Sequence, residues 1–310
     1  MWWLFVILGF ILLLVGVYFA IVIHLYKKTF TNTKLERQGI AINENSPYYA
    51  FKEHIVKYKQ MFLDFKKEEV SVISNDNLTL RGYFVENKIK DKVVIVFHGF
   101  KSKASGDFAL SYDYYQLGYS LLIVDQRAHG TSEGKYIGMG ILERYDVLKW
   151  IDFVLKRFGE NTSILLSGTS MGAATVMMAS ELIKTPQVKG IVADCGFSSC
   201  FEEIRHCLKK VPYFPVMPTI NLCSKIFAKY DMKKVTAEKS LANSKIPILL
   251  VHGEKDDFVP SYNSKRCYEA SKSEIKECLL IKDAFHAASY VLATDEYDKK
   301  VKSFLEKINF

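Results

Sequence analysis

Hydrophobic and polar positions fall into three regimes along the chain. From Trp2 to Ile23 no residue is charged (WWLFVILGFILLLVGVYFAIVI). At ~1.5 Å per helical residue the run covers about 33 Å, the depth of one hydrocarbon core, and predicts a membrane-spanning helix. Trp2 and Trp3 at one end, and Tyr26, Lys27 and Lys28 at the other, suit the two interfaces. A cleaved signal peptide fits poorly, because no basic stretch precedes the run and it is too long. Between 51 and 65 the pattern changes: Phe51, Ile55, Tyr58, Phe62 and Phe65 recur at helical spacing, with Lys52, Lys57 and Lys59 elsewhere. That predicts an amphipathic helix packed on the body, the alternative being a helix lying on lipid.

From residue 70 short β-branched runs take over: 70–74, 78–84, 93–97, 121–125, 163–167, 190–194, 247–251 and 278–282. Asn75-Asp76-Asn77 predicts a hairpin between the first two. The later runs are continuously apolar, as strands buried on both faces are, and helical patterns such as 141–158 separate most of them. The expected fold is α/β: a mostly parallel eight-stranded sheet flanked by helices and preceded by one transmembrane helix. About fifty residues separate Asp194 from Pro247 and include Pro212, Pro215 and Pro218 among aromatic and aliphatic neighbours. A connection this long predicts a helical cap. The organisation read from the sequence is an anchor at 1–26, a connector at 27–69 and a catalytic body at 70–310, with the cap at about 197–245.

Composition adds three constraints. With 49% hydrophobic and 25% charged residues, the 310-residue chain has the balance of a folded globular protein. Its net charge of +8 comes from a lysine-rich body; it suits an anionic membrane surface at least as well as nucleic acid, and no basic-aromatic strip or zinc-finger spacing favours nucleic acid. The six cysteines form no C-x-x-C pair and the histidines show no companion metal spacing, so free thiols and no metal are expected. Lys27, Lys28, Lys34 and Arg37 follow the apolar run and no cation precedes it, which puts the body on the cytoplasmic side.

In an open α/β sheet, ligands bind at the carboxyl ends of the strands. Three reactive groups fall there: Ser170 in Gly168-Thr169-Ser170-Met171-Gly172, Asp256 in HGEKDDFVP, and His286 in DAFHAAS. A serine hydroxyl needs an adjacent base, His286 can take and return its proton, and Asp256 can fix the imidazole tautomer. A glycine-flanked strand-to-helix turn aims the Met171 N–H at a developing oxyanion, and the loop His98-Gly99-Phe100 offers the Phe100 N–H as a second donor. Asp257 and Asp194 are rival acids. His24, His54, His98, His129, His206 and His252 are rival bases, placed less well. Asp125, Arg127 and His129 read as a hydrogen-bonded turn, and Cys195 as the thiol nearest a strand end.

These stretches, with DQRAHGTSEG at 125–134 and DCGFSS at 194–199, resemble the α/β-hydrolase superfamily over about residues 70–310, its serine esterase and peptidase members in particular. With the anchor, the chain resembles membrane-attached bacterial hydrolases of this type. The resemblance implies acyl-bond hydrolysis without a cofactor, and a cap over the acyl or leaving-group pocket. Phe285 departs from it, standing where glycine often precedes the histidine. The expected activity is cleavage of a carboxylic ester with a hydrophobic, lipid-like acyl group, falling in acid as the base protonates. A peptidase, amidase or thioesterase would use the same three residues, and a non-catalytic binding protein could share the fold.

Overall fold

The computed structural model describes residues 2–31, 44, 46–106 and 108–310. In chain order its elements are α1 (Trp2–Phe30), α2 (Lys52–Asp64), β1 (Glu68–Ile73), β2 (Thr79–Val85), β3 (Ile89–Phe97), α3 (Phe108–Gln116), β4 (Tyr119–Val124), α4 (Glu143–Phe158), β5 (Ser163–Thr169), α5 (Met171–Ala179), β6 (Val188–Asp194), α6 (Cys200–Cys207), α7 (Tyr213–Cys223), α8 (Ala237–Ala242), β7 (Ile248–Gly253), α9 (Tyr262–Ala270), β8 (Lys276–Ile281), α10 (Ser289–Leu292) and α11 (Thr294–Lys307). A short π-helical turn, Ser224–Ala228, continues α7.

All eight predicted strands form one sheet in the order β1-β2-β4-β3-β5-β6-β7-β8. Among the eight described strands β2 alone runs against the rest: it pairs antiparallel with β1 and with β4, and the other strand pairings are parallel. The β1–β2 register closes at Ile73 opposite Thr79, with Asn77 at φ 62° in the turn between them. β4 and β7 are buried at every residue, as continuous apolar runs require, because helices cover both faces. β8 is only half-buried over most of its length, since it is the sheet edge.

Helix α4 shows why one covering helix forms. Val147, Trp150, Ile151 and Val154 fall at i, i+3, i+4 and i+7 and are buried against the sheet. Each such side chain contributes about 1.5–3 kcal/mol relative to exposure. Glu143 and Asp146 occupy its first turn and Lys156 and Arg157 its last, the arrangement that opposes the helix dipole. The other face is covered by α3 and α11, with Phe108, Tyr297, Phe304 and Leu305 buried in a second core.

The N-terminal segments pack on this body. α1 is long and apolar enough to cross a membrane. It outruns the predicted apolar stretch, and Val22, Tyr26 and Phe30 are buried on its protein side. Lys27 and Lys28 lie in its last turn; Lys34 and Arg37 lie outside the described residues. α2 packs on α3 through Phe62 against Phe108 at 5.4 Å, Phe65 against Tyr115 at 4.8 Å and Tyr58 against Tyr112 at 5.8 Å. Edge-on aromatic pairs of this kind add ~0.5–1.5 kcal/mol each beyond area burial. In the long connection after β6, α8 lies against α5 and α9 and so joins the helix layer, while α7 stands beside α1.

The junction of β5 and α5 is pressed into the sheet. A Cβ at Gly172 would lie 2.0 Å from the Phe97 carbonyl oxygen, and one at Gly168 would lie 2.4 Å from the Gly172 carbonyl carbon. Neither contact is possible for a real side chain, so glycine on both sides of Ser170 follows from backbone against backbone. Gly172→Ala should therefore lower the urea midpoint of the chain by the equivalent of ~1–3 kcal/mol or more, the usual range for overpacking a filled site. An unchanged midpoint would contradict this close approach.

Candidate active site

The turn between β5 and α5 holds Ser170 at φ 54° and ψ −114°, a conformation that non-glycine residues rarely adopt. Its N–H donates to the Asp194 carbonyl (2.8 Å) and its carbonyl accepts from the Ala174 N–H (3.0 Å), so β6 and the first turn of α5 hold the strained residue from both sides. His286 follows β8. Its Nε2 lies 2.9 Å from Ser170 Oγ and its Nδ1 lies 2.7 Å from Asp256 Oδ2. With the Nδ1 proton donated to the carboxylate, Nε2 is left to accept the serine hydroxyl.

Asp256 follows β7 and is buried. Burial raises its pKa, but bonds from His252 and His286 outweigh this and, with the Val259 N–H, hold the carboxyl at about 2. Oδ1 accepts the N–H groups of Phe258 (3.0 Å) and Val259 (2.8 Å), leaving Oδ2 to face His286. The rival acids are placed differently. Asp194 lends its backbone carbonyl to Ser170, and burial pushes its side chain up to about 6. Asp257 is exposed, and its carbonyl faces His206 Nε2 at 2.8 Å.

The loop after β3 abuts the serine turn, because the Gly172 position also reaches the His98 carbonyl. Two histidines that sequence reasoning placed in turns shape this loop. His98 Nε2 accepts the Gln126 N–H (3.0 Å), so its Nδ1–H donates to the Gly99 carbonyl (2.8 Å). His129 Nε2 accepts the Lys101 N–H (3.1 Å), so its Nδ1–H donates to the Arg127 carbonyl (2.9 Å). With the Gly99 carbonyl held on one side of a planar trans peptide, the Phe100 N–H faces the other side. Met171 opens α5, so its N–H has no acceptor four residues back within the helix.

Asp125 and Arg127 brace the neighbouring turn. The two carboxylate oxygens of Asp125 accept the Ala104 and Thr131 N–H groups, each at 2.8 Å. Arg127 forks onto Asp146 at 2.6 and 2.7 Å. Cys195 is fully buried below the site. Burial, with Asp194 and Asp256 nearby, keeps its thiol well above the ordinary range, which removes it as a reactive thiol. Its sulfur, an Asp256 oxygen and a His286 nitrogen lie within 4.8 Å of one another, but both His286 nitrogens are already engaged by Ser170 and Asp256. All six cysteines are free.

Contacts from the connector to the histidine loop have no local sequence signal. The Tyr48 hydroxyl donates to the His286 carbonyl at 2.6 Å across 238 residues of chain. The Tyr48 ring meets Phe285 edge-on at 5.2 Å, and Phe51 packs on Phe285 at 6.3 Å. Phe285 therefore ties the histidine loop to the connector. His252 Nε2 lies 3.3 Å from Asp256 Oδ2, giving the acid a second imidazole neighbour.

Comparison with known proteins bears on the fold that carries these residues. The family model described as serine aminopeptidase, S33, matches residues 88–230, a span holding Ser170 but ending before Asp256 and His286. The uncharacterized protein YqkD of Bacillus subtilis is 25% identical over 253 residues, 81% of this chain and 83% of that one. An uncharacterized membrane protein of Saccharomyces cerevisiae is 25% identical over 215 residues, 68% of this chain and 70% of that one. Among solved structures, the esterase Pf2001 of Pyrococcus furiosus superposes with a TM-score of 0.66 at 24% identity, covering 80% of this chain and 94% of that one. A bacterial membrane phospholipase A superposes at 0.61 with 14% identity, covering 84% and 93%.

Two measurements test the groups around the site. Tyr48→Phe removes one hydrogen bond worth ~0.5–1.5 kcal/mol, so kcat should fall roughly 2- to 12-fold; an unchanged kcat would mean that the histidine loop does not need the connector. Burial depresses His98 to about 4, and burial with the neighbouring His98 depresses His129 to about 3. Unfolded imidazoles protonate near ~6.5, so the stability from these neutral rings is complete above that pH and is lost as pH falls towards 4 and below. The urea midpoint should drop over that window, and more gently in His129→Gln. Equal slopes in the two chains would count against a neutral His129.

Proposed function

Because this chain belongs to the α/β-hydrolase superfamily, we propose that it is a membrane-anchored serine hydrolase cleaving a carboxylic ester with a hydrophobic acyl group. The coarser statement, a hydrolase of the esterase or peptidase type, rests on the family match and the esterase fold neighbours. The observation that carries the finer reading is the unbroken chain from Ser170 Oγ to His286 (2.9 Å) to Asp256 (2.7 Å). In this reading Ser170 Oγ attacks the acyl carbon as its proton passes to His286 Nε2. The carbonyl oxygen gains negative charge opposite the Met171 and Phe100 N–H groups. Collapse breaks the bond to the leaving alcohol, which takes the proton from His286. Water, deprotonated by His286, then releases the acid and restores Ser170. Asp256, ionised throughout at its depressed pKa, stabilises the imidazolium formed in each half. No step requires a cofactor.

The surroundings favour an apolar acyl group. Phe258, half-exposed, lies 5.0 Å from the His286 ring. Phe100 packs at 6.4 Å on Phe30 at the end of α1. The fold neighbours named esterase and membrane phospholipase A point the same way. Lys27 and Lys28 at the body end of α1 support a cytoplasmic body. The name of the matched family, a serine aminopeptidase, supports the second reading, in which the same residues cleave an amide.

A fluorophosphonate probe should label the wild-type chain, and neither Ser170→Ala nor His286→Ala. Asp256→Asn should cost about 10³–10⁴ in kcat, the scale of a wrong imidazole tautomer, and far more than Asp194→Asn. Labelling that survives in Ser170→Ala would remove the proposal. Matched acyl esters, aminoacyl amides and acyl thioesters then separate ester hydrolysis from the peptidase reading.

A further inference from the structure

The N-terminal helix and the cap meet at a depth that bears on how the protein sits in a membrane. The Tyr18 hydroxyl donates to Thr219 Oγ1 of α7 at 3.0 Å. Further along both segments, the Tyr26 ring meets Phe227 at 6.2 Å and Lys27 Nζ lies 4.9 Å from the same ring. Moving from Thr219 to Phe227 therefore follows the direction from Tyr18 to Lys27, and the two segments run side by side in parallel. Residues before Thr219 project towards the Trp2 end of α1.

The uncharged run of α1 then sets the depth. It continues past Tyr18 to Ile23, and the cations Lys27 and Lys28 follow it. A helix that crosses a bilayer keeps such a run in the hydrocarbon core, so the bilayer reaches past Tyr18, to the level where α7 is docked. The cap has the surface this demands. From Val211 to Ser224 no residue is charged, while Lys209 and Lys210 precede the segment and Lys225 and Lys229 follow it. Its exposed side chains include Val211, Tyr213, Phe214 and Leu222, with Phe214 75% exposed. Its polar groups turn inward. Thr219 donates to the Pro215 carbonyl (3.0 Å), Asn221 bonds the Met232 N–H (2.9 Å) and Asp231 (3.0 Å), and Ser224 donates to the Asn221 carbonyl (2.8 Å). Internal satisfaction of polar groups under an apolar exterior is what hydrocarbon requires. Lys225 falls between the levels of Tyr18 and Lys27, with its head group at the Asp231 carboxylate (2.8 Å), where the interface should lie.

We propose that the start of α7, led by Phe214, is inserted in the lipid bilayer beside α1, so that the cap and the anchor form one membrane-embedded surface. This rests on the membrane-anchored reading and deepens it: the partner of the cap is lipid, and an acyl chain can reach the cap without crossing water.

The test uses the full chain reconstituted in phosphatidylcholine–phosphatidylglycerol vesicles, with Cys207→Ser removing the exposed native thiol. An environment-sensitive NBD fluorophore is attached in turn to Phe214→Cys, Phe10→Cys and Lys229→Cys. Position 214 should be quenched by mid-chain nitroxide lipid about as strongly as position 10 and roughly twofold or more above position 229, as burial below the headgroups requires. Quenching of position 214 by aqueous iodide, with position 10 still lipid-quenched, would overturn the inserted cap and leave the anchor intact. Shielding of position 214 from both quenchers would overturn it in favour of a protein contact, such as a second copy of the chain. Lipid quenching at neither 10 nor 214 would overturn the anchor and the inserted cap together.

Discussion

The close approach of Gly172 to the carbonyl end of β3 governs the rest of the site. With no Cβ at 172, the first turn of α5 can press against the Phe97 and His98 carbonyls. That contact places the strained Ser170 and the loop bearing Phe100 at the same strand ends. It also gives the buried histidines their purpose, since His98 holds that loop at the Gly99 carbonyl and His129 holds it at the Lys101 N–H. Both stay neutral because burial costs more than a proton would return.

Asp256 and His286 arrive from the β7–β8 side of the sheet, and the N-terminal connector reaches His286 there. Asp256 is oriented by two backbone N–H groups, and His286 is held through its own carbonyl by Tyr48. At the opposite rim, Phe30 at the end of α1 packs on Phe100, and the Phe30 carbonyl accepts the Ile137 N–H at 2.8 Å. Segments outside the α/β body thus touch both the loop bearing Phe100 and the loop bearing His286. A change in how α1 and the connector sit has a direct mechanical route to both.

Much of this was legible in the linear pattern. Strands buried on both faces must read as continuous apolar runs, which marked inner strands such as β4 and β7. β1 and the edge strand β8 are only partly buried and were marked by their β-branched or aliphatic runs, and the hairpin followed from Asn75-Asp76-Asn77. Ser170, Asp256 and His286 could be singled out because ligand sites of open α/β sheets lie at strand carboxyl ends, a property of chain order. Phe285 could be marked as unusual but not explained: its partners Tyr48 and Phe51 are more than two hundred residues away.

The sequence by itself determined the periodicities and the order of the reactive residues, because burial and turn chemistry are local constraints. Only the tertiary structure decided which carboxylate meets the imidazole. Asp194, Asp256 and Asp257 all sit at or just past strand ends, but only Asp256 has backbone donors on one oxygen and His286 on the other. It likewise decided the level at which α7 docks on α1, because the bond between Tyr18 and Thr219 joins segments that no local pattern relates. Strand order and helix docking set such distances, and they are fixed only when the sheet has closed around both cores.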